Sequence, residues 1–353
     1  MSEKERYVAY VGTYTHEKSV GIYVYDVDVE NGVLTQRSVA PINNPSYLCV
    51  SHDGTRLYSI EDEGVAAFII DENGDLTKMN SKWTGGMRGC YIEVDSKRRF
   101  LFVGGYHDGR VTVMSLNEDG SVGEVTDAIF HQGMALSANE RRIDHPKVSC
   151  VKLTPDEKFL LAADYGLNQI KVYRINYNTG KLSLEDIIRP ELDAMPRTIR
   201  FSQDAKFCYI LMEGSNEIEV YTYNVDDRGE PEFERIQVVQ TLPNPGRMCA
   251  STNLGVARDD KLIFVSIDSE NTVSWFTRDA KTGKLTYQGE TPSSGYFPKS
   301  ISVLPGNEYY VVLNHDSNEM RAFKIFHKEK YALMKSRPIG INKPNCIRIH
   351  KLA

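Results

Sequence analysis

The sequence predicts an all-β fold, a seven-bladed β-propeller with one blade closed by strands from the two ends of the chain. Three observations carry this. One unit, made of an apolar run, a polar turn and an alternating strand, recurs along the whole sequence. Its period is roughly 40–60 residues, the spacing at which four-stranded units assemble radially. Finally, each end of the chain holds the part of a unit that the other end lacks.

The unit is plainest at Pro196–Tyr223, PRTIRFSQDAKFCYILMEGSNEIEVYTY. Ile199 and Phe201 alternate with their neighbours, as a strand requires. Gln203-Asp204-Ala205-Lys206 is a polar turn. Phe207–Met212 is a nearly continuous apolar run, expected of a strand buried on both faces. A second turn, Glu213–Asn216, leads into Glu217–Tyr223, where Ile218, Val220 and Thr222 share one side. The same pattern returns at Phe100–Leu116, Phe159–Ile175, Leu262–Phe276 and Tyr309–Phe326, with a shorter copy at Leu57–Ile70. Tyr7–Val29 is a copy without its first strand. In four units a glycine turn and an apolar residue follow: Asn31-Gly32-Val33-Leu34, Asn73-Gly74-Asp75-Leu76, Thr179-Gly180-Lys181-Leu182 and Thr282-Gly283-Lys284-Leu285.

Taken in order, a solvated lead at 1–6 precedes blades at 7–35, 45–80, 88–125, 147–190, 196–240, 250–291 and 297–335. The repeat spans 1–353, so the chain reads as one propeller domain. Residues 127–146 form an insertion whose Arg141, Arg142 and His145 either face a ligand or are simply solvated. Pro344–Leu352 looks like a first strand with nothing after it. It is expected to pair with the strand begun at Tyr7, which leaves the ring no long open edge.

Composition narrows the function. The net charge of -6 and the lack of a long basic tract speak against nucleic acid or an anionic membrane as partner. No stretch approaches the ~20 apolar residues of a spanning helix, and the polar start MSEKERYVAYVG has no apolar signal core. The six cysteines show no CxxC spacing and read as free thiols on strands. Together these features predict a cytoplasmic protein. Trp83 and Trp275 are isolated, so the Trp-Asp signature of protein-binding repeat propellers is missing. GxSxG, HExxH and GxxxxGK motifs are also missing, and the eight histidines are scattered. No metal or cofactor is expected.

The first strand of each propeller blade lines the central channel, so superposing the units on their turns predicts what faces it. If index sums stay constant across each hairpin, Phe201 faces Tyr209 and Arg197 faces Glu213. The equivalent pairs are Lys299 with His315, Thr252 with Asp268, Ser149 with Tyr165 and Cys90 with Tyr106, while Asn345 meets a residue near Thr13. One layer near a channel mouth then holds Arg197, Glu213, Asp268, Lys299, His315, Tyr106 and Tyr165. Such a group suits an anionic, ester-like substrate. Cations hold a phosphate or carboxylate and polarise a carbonyl oxygen, and a carboxylate or imidazole takes a proton from water. A histidine base would titrate near its ordinary value of about 6.5. The plainer reading is a wet channel in which Arg197 and Glu213 form an ordinary ion pair.

Several stretches carry a resemblance: YVAYVGTYT at 7–15, NPSYLCVSHDGTRLYS at 44–59, KLTPDEKFLLAADYGLNQIKVYRI at 152–175, PRTIRFSQDAKFCYILME at 196–213 and GYFPKSISV at 295–303. In their order they resemble the seven-bladed lactonase family, which includes bacterial propeller-type 6-phosphogluconolactonases and fungal carboxy-cis,cis-muconate lactonizing enzymes. The resemblance implies a seven-bladed propeller that hydrolyses or forms a lactone, in general without a metal. It places the family's arginine at Arg197 and its glutamate at Glu213. The family's HPH-type motif falls on Lys147, Val148 and Ser149, so Ser149 replaces a histidine, with His145 just upstream. Asp268 stands where the family often has arginine, Asn253 where it has glutamate, and Lys299 replaces an arginine.

Two functions stand open on this reading. In one, the chain is a lactonase of the 6-phosphogluconolactonase type acting on a small anionic lactone. Arg197 and Lys299 hold the substrate, and Glu213 or His315 activates water; Asp268, Tyr106, Tyr165 and His145 complete the binding site. In the other, the chain is a non-catalytic propeller that binds a sugar acid or a protein.

Overall fold

Phe100–Gly105, Phe159–Asp164, Phe207–Met212 and Tyr309–Asn314 are buried at every residue, which requires cover on both faces of a sheet. In the computed structural model, which describes residues 5–133, 145–244 and 249–352, these are the second strands of four of seven antiparallel sheets. Each sheet is one blade, and each packs face to face on the next. No helix occurs among the described residues.

The innermost strands run through the centre. They are Pro344–Lys351 in blade 1, Leu48–Val50 in blade 2, Tyr91–Val94 in blade 3 and Val148–Leu153 in blade 4. Blades 5 to 7 supply Pro196–Phe201, Ala250–Val256 and Pro298–Val303. Blade 1 closes the ring as the sequence predicts. Its order is Pro344–Lys351, Tyr7–Thr13, Gly21–Asp28, Val33–Pro41, with register from Tyr7 opposite Lys351 to Thr13 opposite Pro344. Blade 7 has a broken outer edge, since Tyr331–Met334 and Ile339–Gly340 both pair with Glu319–Phe326.

The glycine turns dock one blade on the next. Gly180 and Gly283 both have φ of 71°, a left-handed conformation that side chains disfavour. A Cβ at Gly180 would run into the Phe100 ring of blade 3, and one at Gly283 into the Phe207 ring of blade 5. Tyr209 then donates its hydroxyl to the Gly283 carbonyl at 3.0 Å. Tyr10 and Tyr58 make the same bond to Gly74 and Gly120, each at 2.9 Å. The rings thus supply apolar burial, and their hydroxyls satisfy the turn.

Two expectations are corrected. The outer strand of blade 3 is Val122–Phe130, so residues 127–130 belong to a strand and not to the insertion. Thr126 and Asp127 there reach blade 4, at the carbonyl of Gly180 and the backbone N–H of Leu182. Arg141 and Arg142 lie outside the described residues. In addition, Tyr209 faces Arg200 and not Phe201, because the hairpin is one residue tighter than the constant-sum reading assumed. All six cysteines are free thiols.

Candidate active site

A second irregularity of the same hairpin builds the site. In blade 5, Pro196 pairs with Met212 and Thr198 with Leu211, so Arg197 is an extra, bulged residue. The same irregularity falls at Ser149 in blade 4, Thr252 in blade 6 and Lys299 in blade 7. In blade 1 it falls at Asn345, between the pairs of Gly12 and Thr13. A bulge releases one residue from the ladder and re-aims its side chain. All five released residues line a single cavity of about 330 Å³, within the range of small-molecule sites. Cys90, Tyr14, Tyr47, Tyr91, Tyr106, His107, Thr198 and Asn253 complete its wall.

Three of the bulged residues tie blades together. Ser149 Oγ donates to the Pro196 carbonyl at 2.9 Å, Thr252 Oγ1 to that of Pro298 at 2.7 Å, and Asn345 Nδ2 to that of Ser46 at 2.5 Å. Arg197 and Lys299 are the two cations left for chemistry. Arg197 Nη1 is 2.5 Å from Glu213 Oε2. Lys299 has no carboxylate within ion-pair distance among the described residues. Its ammonium lies 5.1 Å from the centre of the Tyr14 ring and 5.3 Å from that of Phe297, a cation–π setting. Burial, with the charge of Arg197 adding to it, pulls the Lys299 pKa down to about 8.

A second tier of residues sits where the second strands end. Tyr14, Tyr165, Glu213 and His315 each donate a backbone N–H to the residue two before a bulge: Lys343, Lys147, Met195 and Phe297. Tyr106 and Asp268 hold the matching positions of blades 3 and 6. The Tyr106 and Tyr165 rings pack at 5.8 Å, and burial, then Tyr165, pushes the Tyr106 phenol up to about 12. His315 is buried between the edges of Tyr14 and Phe297. Its Nδ1 is 3.0 Å from the Pro344 carbonyl oxygen. A carbonyl can only accept, so Nδ1 carries the proton and Nε2 keeps a lone pair. Burial, followed by the nearby Lys299 charge, lowers the His315 pKa to about 4, so the ring is neutral at pH 7 and does not titrate at its ordinary value.

Of the residues read from the sequence, Arg197, Lys299 and Tyr106 line the cavity. Glu213 and Tyr165 stand behind them, touching Arg197 and Tyr106 respectively. His315 backs the cavity through Tyr14. Asp268 stays at the same mouth, but its Oδ1 accepts the backbone N–H of Ser269 at 2.6 Å. His145 is exposed and is not part of the wall. Among the described residues no three His, Cys, Asp or Glu side chains gather as metal ligands.

The family model for the seven-bladed β-propeller lactonases matches residues 8–349. The chain belongs to this lactonase family. A Bacillus subtilis relative named 6-phosphogluconolactonase is 27% identical over 350 residues, covering 97% of this chain and 98% of its own. A Bacteroides fragilis crystal structure, of a protein provisionally named a 6-phosphogluconolactonase, superposes with a TM-score of 0.89 at 28% identity, covering 99% of both chains. The periplasmic gluconolactonase of Pseudomonas aeruginosa has the same fold, with a TM-score of 0.90 at 23% identity over 99% of this chain and 100% of its own.

Within this lactonase scaffold, sequence reasoning missed Tyr14 and His107 as wall residues. Tyr14 is the hub of the site, with Lys299 on its ring, His315 at its edge and the Arg88 guanidinium 5.5 Å from its centre. Constant index sums pair Asn345 with a residue near Thr13. Allowing for the bulge at Asn345 moves that position to Tyr14. No signal in the sequence singled out His107.

Proposed function

We propose that this chain hydrolyses a sugar-acid lactone that carries an anionic group, with 6-phosphogluconolactone the first candidate. The observation that carries the reading is Lys299, a half-buried ammonium without a carboxylate partner among the described residues, in the same cavity as Arg197. A substrate anion or a developing oxyanion offsets that charge. Water adds to the lactone carbonyl carbon and gives its proton to the Glu213 carboxylate or the neutral His315 imidazole. Lys299 and Arg197 stabilise the tetrahedral oxyanion. Its collapse breaks the ring C–O bond, and the leaving oxygen becomes a hydroxyl by taking back the proton that the base removed from water. The named relatives support the substrate class.

The cytoplasm is the proposed location, supported by six unpaired thiols and by a substrate whose phosphate keeps it inside a cell. Net charge of -6 supports a small-molecule partner over nucleic acid or a membrane. One observation favours the second reading, binding without turnover. Ser149 stands where the family pattern has histidine, and its hydroxyl is occupied by the Pro196 carbonyl. An assay against a lactone panel, corrected for spontaneous opening, separates the two. Turnover of 6-phosphogluconolactone above background is expected. Saturable binding of the sugar acid with no turnover on any lactone would establish the second reading.

A further inference from the structure

Three residues beyond each bulge, the inner strands send another set of side chains into the channel. Lys152 follows Ser149, Arg200 follows Arg197 and Arg348 follows Asn345, while Glu93 follows Cys90 in blade 3. A strand face normally repeats every two residues, and the extra residue of a bulge makes it three. These side chains surround a second cavity of about 380 Å³, with Arg258 and His52 on its exposed rim. Tyr91 and Asn253 belong to the walls of both cavities. The Tyr47 and Tyr91 rings pack with centroids 4.1 Å apart, and this aromatic pair stands between the two spaces.

The charges in the second cavity do not balance. Arg200 Nη1 donates to the Tyr91 hydroxyl at 2.6 Å and to its neighbouring carbonyl, Ile199, at 2.8 Å. Arg348 lies 4.5 Å from the centre of the Tyr47 ring and donates to the Ile347 carbonyl at 2.9 Å. Arg258 Nη2 donates to the Ile349 carbonyl at 3.2 Å. Glu93 is the one carboxylate in the wall, and it is held by Lys152. Three guanidiniums therefore share the cavity with no carboxylate left for them among the described residues. Half-buried like charges without a counter-ion are costly, and a planar fork of donors suits phosphate oxygens, which it can engage in pairs. A carboxylate brings a single charge, whereas a phosphoryl group brings close to two.

We propose that this second cavity binds a small phosphoryl-bearing anion, held by Arg200 and Arg348 with Arg258 at the rim, across the Tyr47–Tyr91 pair from the lactone cavity. The site is independent of the hydrolytic reading, since none of its cations lines the first cavity. Calorimetric titration of the full chain with inorganic phosphate, 6-phosphogluconate and gluconate tests it. Phosphate or the phosphorylated acid should bind to wild type and to Lys299→Met, and bind at least tenfold more weakly to Arg348→Met. The tighter of the two ligands identifies the source of the phosphoryl group. Should Arg348→Met not fold, Arg258→Gln at the exposed rim should still weaken binding threefold or more, and phosphate should raise the wild-type melting temperature relative to chloride at equal ionic strength. Equal binding by wild type and the Arg348 or Arg258 variant, loss of all binding in Lys299→Met, or no binding of either phosphorylated ligand would overturn the proposal.

Discussion

Arg197 and Glu213 form an ion pair of 2.5 Å across the first hairpin of blade 5 although they are not cross-strand partners. Arg197 is the bulged residue, and Glu213 lies one position beyond the end of the second strand, Phe207–Met212. The carboxylate therefore orients a guanidinium that the ladder does not. Replacing Arg197 with alanine should lower turnover by roughly 10²–10³-fold, the scale of losing one donor to a developing oxyanion. Glu213→Gln keeps the shape and an acceptor for Arg197 but removes the charge. It should reduce kcat/KM at least tenfold while the thermal melt stays close to wild type. Full activity in Glu213→Gln would leave His315 as the base.

Lys299 must be protonated to hold an anion, and its pKa is pulled down to about 8. The rate of lactone opening, after subtraction of the spontaneous reaction, should therefore fall as pH rises through about 8. Lys299→Arg keeps its charge at every accessible pH, so the alkaline limb should vanish in that variant. A limb of the same position in wild type and Lys299→Arg would assign it to another group.

His315 predicts the opposite edge. Its folded pKa of about 4 lies below the unfolded value, near 6.5. Both states are neutral above that higher value, and protons then bind the unfolded chain first. The contribution to stability is thus fully present above about pH 6.5 and is lost as pH falls toward 4. Urea midpoints should decline across this window in wild type and decline less in His315→Gln. If His315 is the base, activity should persist well below pH 6. An acid limb near 6.5 that disappears in His315→Gln would contradict the neutral, buried imidazole.

Much of the propeller was legible because its signals are local. The run Phe207–Met212 and the turn at Thr282-Gly283 each announce themselves within six residues, and repetition multiplies them. The bulges were not legible. Inserting Arg197 into its strand leaves the hydrophobic pattern of Thr198–Phe201 intact, so nothing in the residue types marks the extra position. The layer assignment still found Arg197 and Lys299 because blades 4 to 7 carry the bulge at the same position, and an error shared by these units cancels in their superposition. It failed at Tyr14, where the comparison depended on an absolute position. Tyr47, Tyr91 and Arg348 escaped notice for another reason. They meet only because strands distant in sequence converge on the channel, and no spacing within a unit encodes that.

Closure by Pro344–Lys351 makes the end of the chain essential to the fold. Deleting residues 344–353 removes the buried Cys346, Ile347 and Leu352, at ~1.5–3 kcal/mol for each buried side chain, and strips one side of Tyr7–Thr13. The truncated chain should show no cooperative melt or a sharply lowered one, together with a tendency to aggregate. An unchanged melting temperature would rule out the closed blade.

The same strand sets the order in which this protein can be finished during synthesis. Tyr7–Thr13 leaves the ribosome well ahead of its inner partner, and every one of its residues is buried in the finished ring. That partner, Pro344–Lys351, comes after all the other strands of the ring. At ~5–20 residues per second, the first strand waits many seconds with one row of N–H and C=O groups unpaired. That interval is an opening for wrong pairing between nascent chains.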